Sequence, residues 1–357
     1  MSSGLLDLQP ASEDPPRPRR RRRWLLWALV FLLVVMLAGA GAVYSVYARL
    51  TGNVRHIEVT REDLGDARPA KTATAAVNIL VVGSDRREGP DAEAGERTDT
   101  IMLAHLSTAR NEAVVVSFPR DSLVQLPACR ARDGLPGQQG HLGMINSSFA
   151  RGGIACTWKT VEKLTGIHID HFVQMDFTGF KGMVDAIGGV DVYLPEPIHD
   201  EYVRLDLPKG WRTLNGEEAL GYVRARYSLG DGTDIERIER QQDFVRAMAK
   251  KAMSGETLTD PTRLFGFLDA ATKSVTTDPA LTPGVMRDLA MTARGLTGDR
   301  IHFVTVPWRF STAYRGRVEW LPQARTLFRS LAADEPLTAG DPATPDDAAG
   351  AKTGGTR

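Results

Sequence analysis

Three short apolar runs, Ile79–Val82, Ile101–Leu106 and Ala113–Phe118, punctuate the stretch from Asn78 to Asp121. Each is rich in branched side chains and short enough to read as a buried strand. Charge meets every run at an end: Asp85, Arg86 and Arg87 after the first, Arg97 and Asp99 before the second, Arg120 and Asp121 after the third. The short connection at 107–112 predicts a hairpin between the second and third strands. Beyond Arg120, a segment bearing Pro127, Gly134, Pro136, Gly137 and Gly140 reads as a long loop, followed by helical patterns over roughly 145–151 and 155–165. His171–Asp176 reads as a further strand. Phe177, Phe180, Met183, Val184 and Ile187 then recur at helical spacing until Gly188-Gly189 stops them. Val190–Leu194 is a strand ended by Pro195.

Asn215 is a good N-cap, with Glu217 and Glu218 in the first turn of a helix reaching about Arg224. Asp234 predicts the cap of a longer helix, from Ile235 to about Met253. Pro261–Ala271 is a helix with proline in its first turn. Ile301–Val306 reads as a late strand and Leu321–Leu331 as a closing helix. Alternating strands and helices predict a layered α/β domain, and the hairpin makes its sheet mixed.

The flanks differ from this domain. From Trp24 to Ala48 no residue is charged, and Arg17 and Arg19–Arg23 stand immediately before. A span of that length crosses a hydrocarbon core of about 30 Å as one helix. Arginines on its leading side predict a cytoplasmic N-terminus and an extracytoplasmic remainder. Ala38-Gly39-Ala40 keeps a cleaved signal peptide as the competing reading. The expected organisation is a basic cytoplasmic tail (1–23), a membrane helix (24–48), a stalk (49–76), a single domain (77–332) and a disordered polar tail (333–357).

The 44 basic residues are balanced by 44 acidic ones, so bulk charge implies no nucleic-acid partner. Cys129 and Cys156 are the only cysteines. In an outer compartment such a pair reads as one disulfide, with two buried thiols as the alternative.

Candidate chemistry gathers in two places. Asp85 and Asp99 are hard oxygen donors at strand ends, suited to Mg²⁺ or Mn²⁺, although aspartate is also a common turn residue. Arg224 and Arg226 precede a glycine-bearing break, and Arg237, Arg240 and Gln241 follow it on one helical face. With Arg97 and Arg120 they form a pool of guanidinium groups able to fork phosphate oxygens; solvated salt bridges to Glu236 and Glu239 are the bland alternative. No P-loop and no G-x-S-x-G elbow occurs, and the seven histidines are scattered.

In order, the blocks NILVVGSD, ERTDTIML, VVVSFPRD, GMINSSFARGG, DHFVQMDFTGFKGMVDAIGGVDVYLP, LNGEEALGYVRARYS and DIERIERQQDF resemble the LytR–CpsA–Psr family, in an actinobacterial form. The resemblance runs from about residue 77 to 252. It implies a three-layer α/β/α sandwich around a mixed sheet. It also implies a membrane-anchored phosphotransferase that moves a glycopolymer from a polyprenyl-pyrophosphate carrier onto peptidoglycan. By the same resemblance Asp85 and Asp99 would sit at a Mg²⁺ site, Arg97, Arg120, Arg224 and Arg226 would hold the pyrophosphate, and Arg237 and Gln241 would bind substrate, joined by Arg240 from its place on the same helical face. Position 144 is methionine where the family often has lysine. The same residues would serve a hydrolase with water as acceptor, and a non-enzymatic envelope scaffold or regulator is the third reading.

Overall fold

A computed structural model describes residues 19–73, 75–84, 98–225, 234–294, 296 and 300–337. The chain divides into two units, residues 1–49 and 50–357. The first carries the apolar part of helix Arg19–Asn53; Trp24–Asn53 is long and apolar enough to cross a membrane. Its large side chains, from Trp24 to Tyr47, are exposed, as a lipid-facing helix requires.

The second unit is built on a seven-stranded sheet. Its spatial order is Arg55–His56, Val275–Thr277, His171–Asp176, Ala76–Ser84, Thr98–Ser107, Glu112–Phe118 and Ile301–Thr305. The three strands read from the apolar runs pair antiparallel in chain order. His171–Asp176 and Ile301–Thr305 add in parallel on either side of them, so the sheet is mixed.

Alternation along the strands divides the sheet into unlike faces. Leu80, Val82, Ile101, Leu103, Val114, Val116 and Phe172 are fully buried. They pack against Phe149, Trp158 and Val161 of helix Ser147–Thr165 and against Leu327 and Phe328 of helix Gln323–Ala333. Across the sheet, Ile79, Val81, Val115, Val173 and Phe303 are only half-buried. Helix Asp234–Ala252 reaches that face through Gln242, which donates to Ser117 Oγ (2.9 Å), and Arg246, whose guanidinium lies 4.8 Å from the Phe303 ring centroid. Helices therefore flank both faces, giving three layers. A second apolar cluster joins Val184, Ile187, Val190, Leu194, Tyr222 and Phe244 around helices Phe177–Ala186 and Gly216–Arg224. Gly179 is required there: a Cβ would lie 1.5 Å from that of Ser274.

Several expectations need correction. The segment expected as a stalk is partly built into the domain. Arg55–His56 joins the sheet, Arg61–Leu64 is a short helix with a Thr60–Asp63 capping box, and Arg68 donates to the buried Glu162 (Nη2 to Oε1, 2.7 Å). The long loop after Arg120 contains a strand pair, Leu123–Leu126 with His141–Met144. The helical patterns at 145–151 and 155–165 are the two halves of helix Ser147–Thr165, broken at Gly153 (φ +62°). Residues 334–337, expected to belong to the polar tail, are instead packed on the domain. Asp334 accepts from Ser107, Arg110 and His105, and Leu337 packs on the core. Residues 338–357 and 1–18 lie outside the described residues.

Cys129 and Cys156 form a disulfide with Cα atoms 5.6 Å apart. Glycine at 152 lets the two approach, since a Cβ there would meet that of Cys156 at 2.5 Å. Closing a loop of this length stabilises the chain by roughly 3–4 kcal/mol in the chain-entropy account.

Candidate functional site

Strand register brings the charged positions to one edge of the sheet. Ser84 pairs with Asp176 on one side and Thr98 on the other, and Ile101 pairs with Phe118. The chain therefore leaves the sheet after Ser84, after Asp176 and after Phe118 at the edge where it enters at Thr98.

Asp99 sits in a β-bulge. Gly83 pairs with Thr100 and Ser84 with Thr98, which leaves Asp99 opposite no residue. Thr98 Oγ1 fixes the irregularity by donating to the carbonyls of Gly83 and Thr100, both at 2.9 Å. A bulge at a strand end re-aims a side chain, and here it presents the Asp99 carboxylate to Arg120 Nη1, with which it forms an ion pair. Both side chains keep about one fifth of their surface accessible (18% for Arg120, 21% for Asp99). Asp121 Oδ2 lies 3.9 Å from Arg120 Nε.

Helix Asp234–Ala252 closes the edge from the half-buried face. Arg237, 3% exposed, donates to the Asp99 carbonyl (3.4 Å). Gln241, one turn on, accepts from Thr100 Oγ1 (3.2 Å) and donates to the Val223 carbonyl (3.1 Å). That bond ties the helix to Gly216–Arg224, whose last residue carries its guanidinium 4.8 Å from the ring centroid of Phe177. Phe177 directly follows Asp176, so Arg224 belongs to the same edge. Arg240 donates to the Ala225 carbonyl, while its Nε is buried with no hydrogen-bond partner. Burial lowers its pKa from the ordinary value, in spite of the anionic groups around it. An unmatched buried N–H on a cation favours an anion close by.

The structure thus brings together Asp99, Arg120, Arg224, Arg237, Arg240 and Gln241. Asp85, Arg97 and Arg226 lie outside the described residues, although their flanking residues Ser84, Thr98 and Ala225 are all at this edge. Several contributors carried no signal of their own. Thr98 and Thr100 read as ordinary strand residues, and Phe177 as core. Asn146 bonds the Arg120 carbonyl through its amide (3.4 Å), and its side-chain Oδ1 is buried without a partner. Met144 pairs with Leu123, three residues past Arg120. A cavity of about 310 Å³ lies elsewhere, under the disulfide loop, lined by Ile57, Arg132, Leu135, Phe149 and Ile154 among others.

No group of three histidine, cysteine, aspartate or glutamate side chains among the described residues could hold a metal ion. Among the described residues Asp99 and Asp121 offer the carboxylate oxygens beside Arg120. So sparse a carboxylate set fits an ion such as Mg²⁺ that keeps water and takes phosphate oxygens from its substrate; it does not fit an all-protein cage.

A model of the LytR_cpsA_psr family matches residues 43–332. Among curated proteins, the chain is 35% identical over 244 residues to the probable cell wall biosynthesis protein LcpB of Corynebacterium glutamicum, covering 64% of this chain and 55% of that one. It is 30% identical over 318 residues to the cell wall biosynthesis protein LcpA of the same organism, covering 78% and 58%. The chain thus spans little more than half the length of these two relatives. It is 29% identical over 273 residues to the polyisoprenyl-teichoic acid–peptidoglycan teichoic acid transferase TagU of Bacillus cereus, covering 75% and 83%. Among solved structures, protein gbs0355 of Streptococcus agalactiae matches with TM-score 0.62 at 22% identity, over 76% of this chain and 93% of that one. A LytR-Csp2A-Psr enzyme from Actinomyces oris matches with TM-score 0.58 at 20% identity, over 78% and 96%. At these identities the likeness establishes the fold.

Proposed function

The chain belongs to the LytR–CpsA–Psr family, and from that premise we propose that it is a membrane-anchored cell-envelope phosphotransferase. It moves a glycopolymer from a polyprenyl-pyrophosphate carrier onto a hydroxyl of peptidoglycan. The observation that carries this reading is the juxtaposition of a guanidinium-rich sheet edge with a half-buried apolar sheet face: one suits a pyrophosphate, the other the lipid attached to it.

Phosphoryl transfer needs positioning and charge neutralisation more than covalent chemistry by the protein. Arg120 and Arg224, with Arg97 and Arg226, hold the pyrophosphate oxygens. Arg237, Arg240 and Gln241 bind from the helix behind them. The acceptor oxygen attacks the phosphorus next to the glycan, a new P–O bond forms, and the P–O bond to polyprenyl phosphate breaks. The acceptor proton ends on the departing phosphate or in solvent. Asp99 and Asp85 would hold a Mg²⁺ (or Mn²⁺) ion, which when bound would supply further positive charge against the pyrophosphate. Arg120 aims the Asp99 carboxylate by pairing with it. The N-terminal span retains the domain at the bilayer that holds the donor, with the N-terminus cytoplasmic and the domain outside.

The test uses the full-length protein in lipid nanodiscs, given a polyprenyl-pyrophosphate glycopolymer and purified peptidoglycan. The expected product is polymer bound covalently to peptidoglycan through a phosphodiester, lost in Arg120→Ala and Arg224→Ala. Release of free phosphate-bearing polymer would replace transfer by hydrolysis, and unaltered attachment by both variants would remove the enzymatic reading.

A further inference from the structure

Next to Arg120 stands a hairpin that the transfer chemistry does not use. Strands Trp308–Phe310 and Val318–Trp320 pair antiparallel. The hairpin is pinned at its base: Trp320 Nε1 donates to Ser122 Oγ (2.9 Å) and the Val318 amide to the Asp121 carbonyl (3.3 Å). The Trp320 ring lies against Phe118 and Phe328 at centroid distances of 5.7 and 5.5 Å. Its outer part is ordered by its own polar contacts. Ser311 Oγ accepts from the amides of Ala313 and Tyr314 and donates to Glu319, which also takes Arg309 (3.1 Å). On this rigid base Phe310 and Tyr314 stand 57% and 52% exposed, and Trp308 meets Phe310 edge-on at 5.0 Å. Isolated exposed aromatics are common, but two on one braced turn, with Arg315 and Arg317 beside them, form a surface of definite chemistry.

We propose that this hairpin is the docking platform for the acceptor, an acidic peptide-bearing glycan strand of peptidoglycan. Pyranose rings present apolar C–H faces that lie flat on aromatic rings. Arginines beside them fork the carboxylates that the strand's peptides carry. Two observations favour acceptor over donor. The Asp121 carboxylate lies between the site and the platform, with Oδ2 3.9 Å from Arg120 Nε and Oδ1 3.8 Å from Arg317 Nη1. The platform also packs on the Phe118–Phe328 side of the sheet, whereas the half-buried apolar face suited to the lipid lies on the other. In-line displacement brings the nucleophile in opposite the leaving group, so a lipid on one face leaves the acceptor the hairpin side.

The assignment of the acceptor rests on the transferase reading; the binding surface can be tested apart from it. Full-length protein in nanodiscs is sedimented with polymer-free peptidoglycan sacculi, without donor. Phe310→Ala with Tyr314→Ala should weaken co-sedimentation up to about tenfold per ring lost, whereas Phe310→Trp with Tyr314→Phe should retain it. In turnover the alanine pair should raise KM for peptidoglycan and leave KM for the donor unchanged. Undiminished sedimentation of the alanine pair would overturn the proposal. So would equal loss in the conservative pair, or a defect confined to the donor KM. If the wild-type protein sediments through the hairpin yet transfers nothing, the transferase reading fails while the glycan platform stands.

Discussion

One strand, Thr98–Ser107, carries a polar cluster at each end, and the two ends are built on opposite plans. Strand geometry sets Asp99 and His105 roughly 20 Å apart at about 3.4 Å per residue. At the far end His105, fully buried, bonds Asn78 through Nδ1 (2.7 Å) and Asp334 through Nε2 (3.1 Å). Asp334 also accepts from Ser107 and from Arg110, which pairs in turn with Glu112. Donors and acceptors answer one another, and the cluster clamps the C-terminal helix to the sheet. At the near end several arginines surround Asp99 and Asp121, a bulge displaces the strand's own register, and a guanidinium nitrogen of Arg240 and an amide oxygen of Asn146 are buried without partners. Buried polar groups that bond one another stabilise a fold, whereas buried polar groups left unmatched beside clustered guanidinium groups are arranged for a ligand.

The contrast implies that activity and stability respond to different ends. The largest effect should come from Arg120→Ala, with a rate loss of about 100-fold or more by the scale of lost transition-state charge contacts, against a nearly unchanged urea midpoint. Comparable loss of stability with intact turnover would reverse the assignment of the two ends. Asp334→Ala should do the opposite. It should lower unfolding free energy by about 2–3 kcal/mol, since it strands buried donors, while the rate per folded molecule in the transfer assay stays within error of wild type.

Acid should find the far end next. Burial lowers the His105 pKa below 6.5, overcoming the Asp334 carboxylate. Asp334 is also burdened by burial, yet its bonds from Ser107, Arg110 and His105 hold its pKa below the ordinary value. A depressed native pKa means that the unfolded chain takes up the proton first. Stability is therefore full above pH 6.5 and falls as pH drops through the native value, by up to about 1.4 kcal/mol per pH unit for one proton. His105→Gln should flatten that slope in denaturation series between pH 7 and pH 5, relative to the wild-type slope. The smallest effect belongs to Gln241→Ala, which removes the tie between Thr100 and the Val223 carbonyl. A rate loss of about tenfold with little change in melting temperature is expected; a melting shift without a rate change would place Gln241 with the scaffold.

Legibility along the chain followed the range of the interactions. Strand Glu112–Phe118, helix Gly216–Arg224 with its Asn215 cap, and helix Asp234–Ala252 are written in local periodicity and capping, and the sequence predicts them nearly to their ends; strands Ala76–Ser84 and Thr98–Ser107 are also predicted but begin three residues before their apolar runs. Strands Arg55–His56 and Val275–Thr277 are too short for any period to show; they exist because a sheet edge offers them hydrogen bonds. The hairpin at Trp308–Trp320 is invisible for the same reason. Its aromatic and arginine content shows in the sequence, but its seat beside Asp121 does not.

The apolar span, the mixed α/β order, the cysteine pair and the supply of arginines and aspartates for an anion and a metal are all present in the linear chain. Those follow from composition and from patterns a few residues long. Which of these charges converge is set by the folded sheet and its helices. Register set Ser84, Thr98 and Phe118 at one edge, a single-residue bulge turned Asp99 toward Arg120, and helix Asp234–Ala252 brought Arg237 and Gln241 across from more than a hundred residues away. Pairing and packing over such separations depend on the whole sheet being assembled, and no local pattern encodes that.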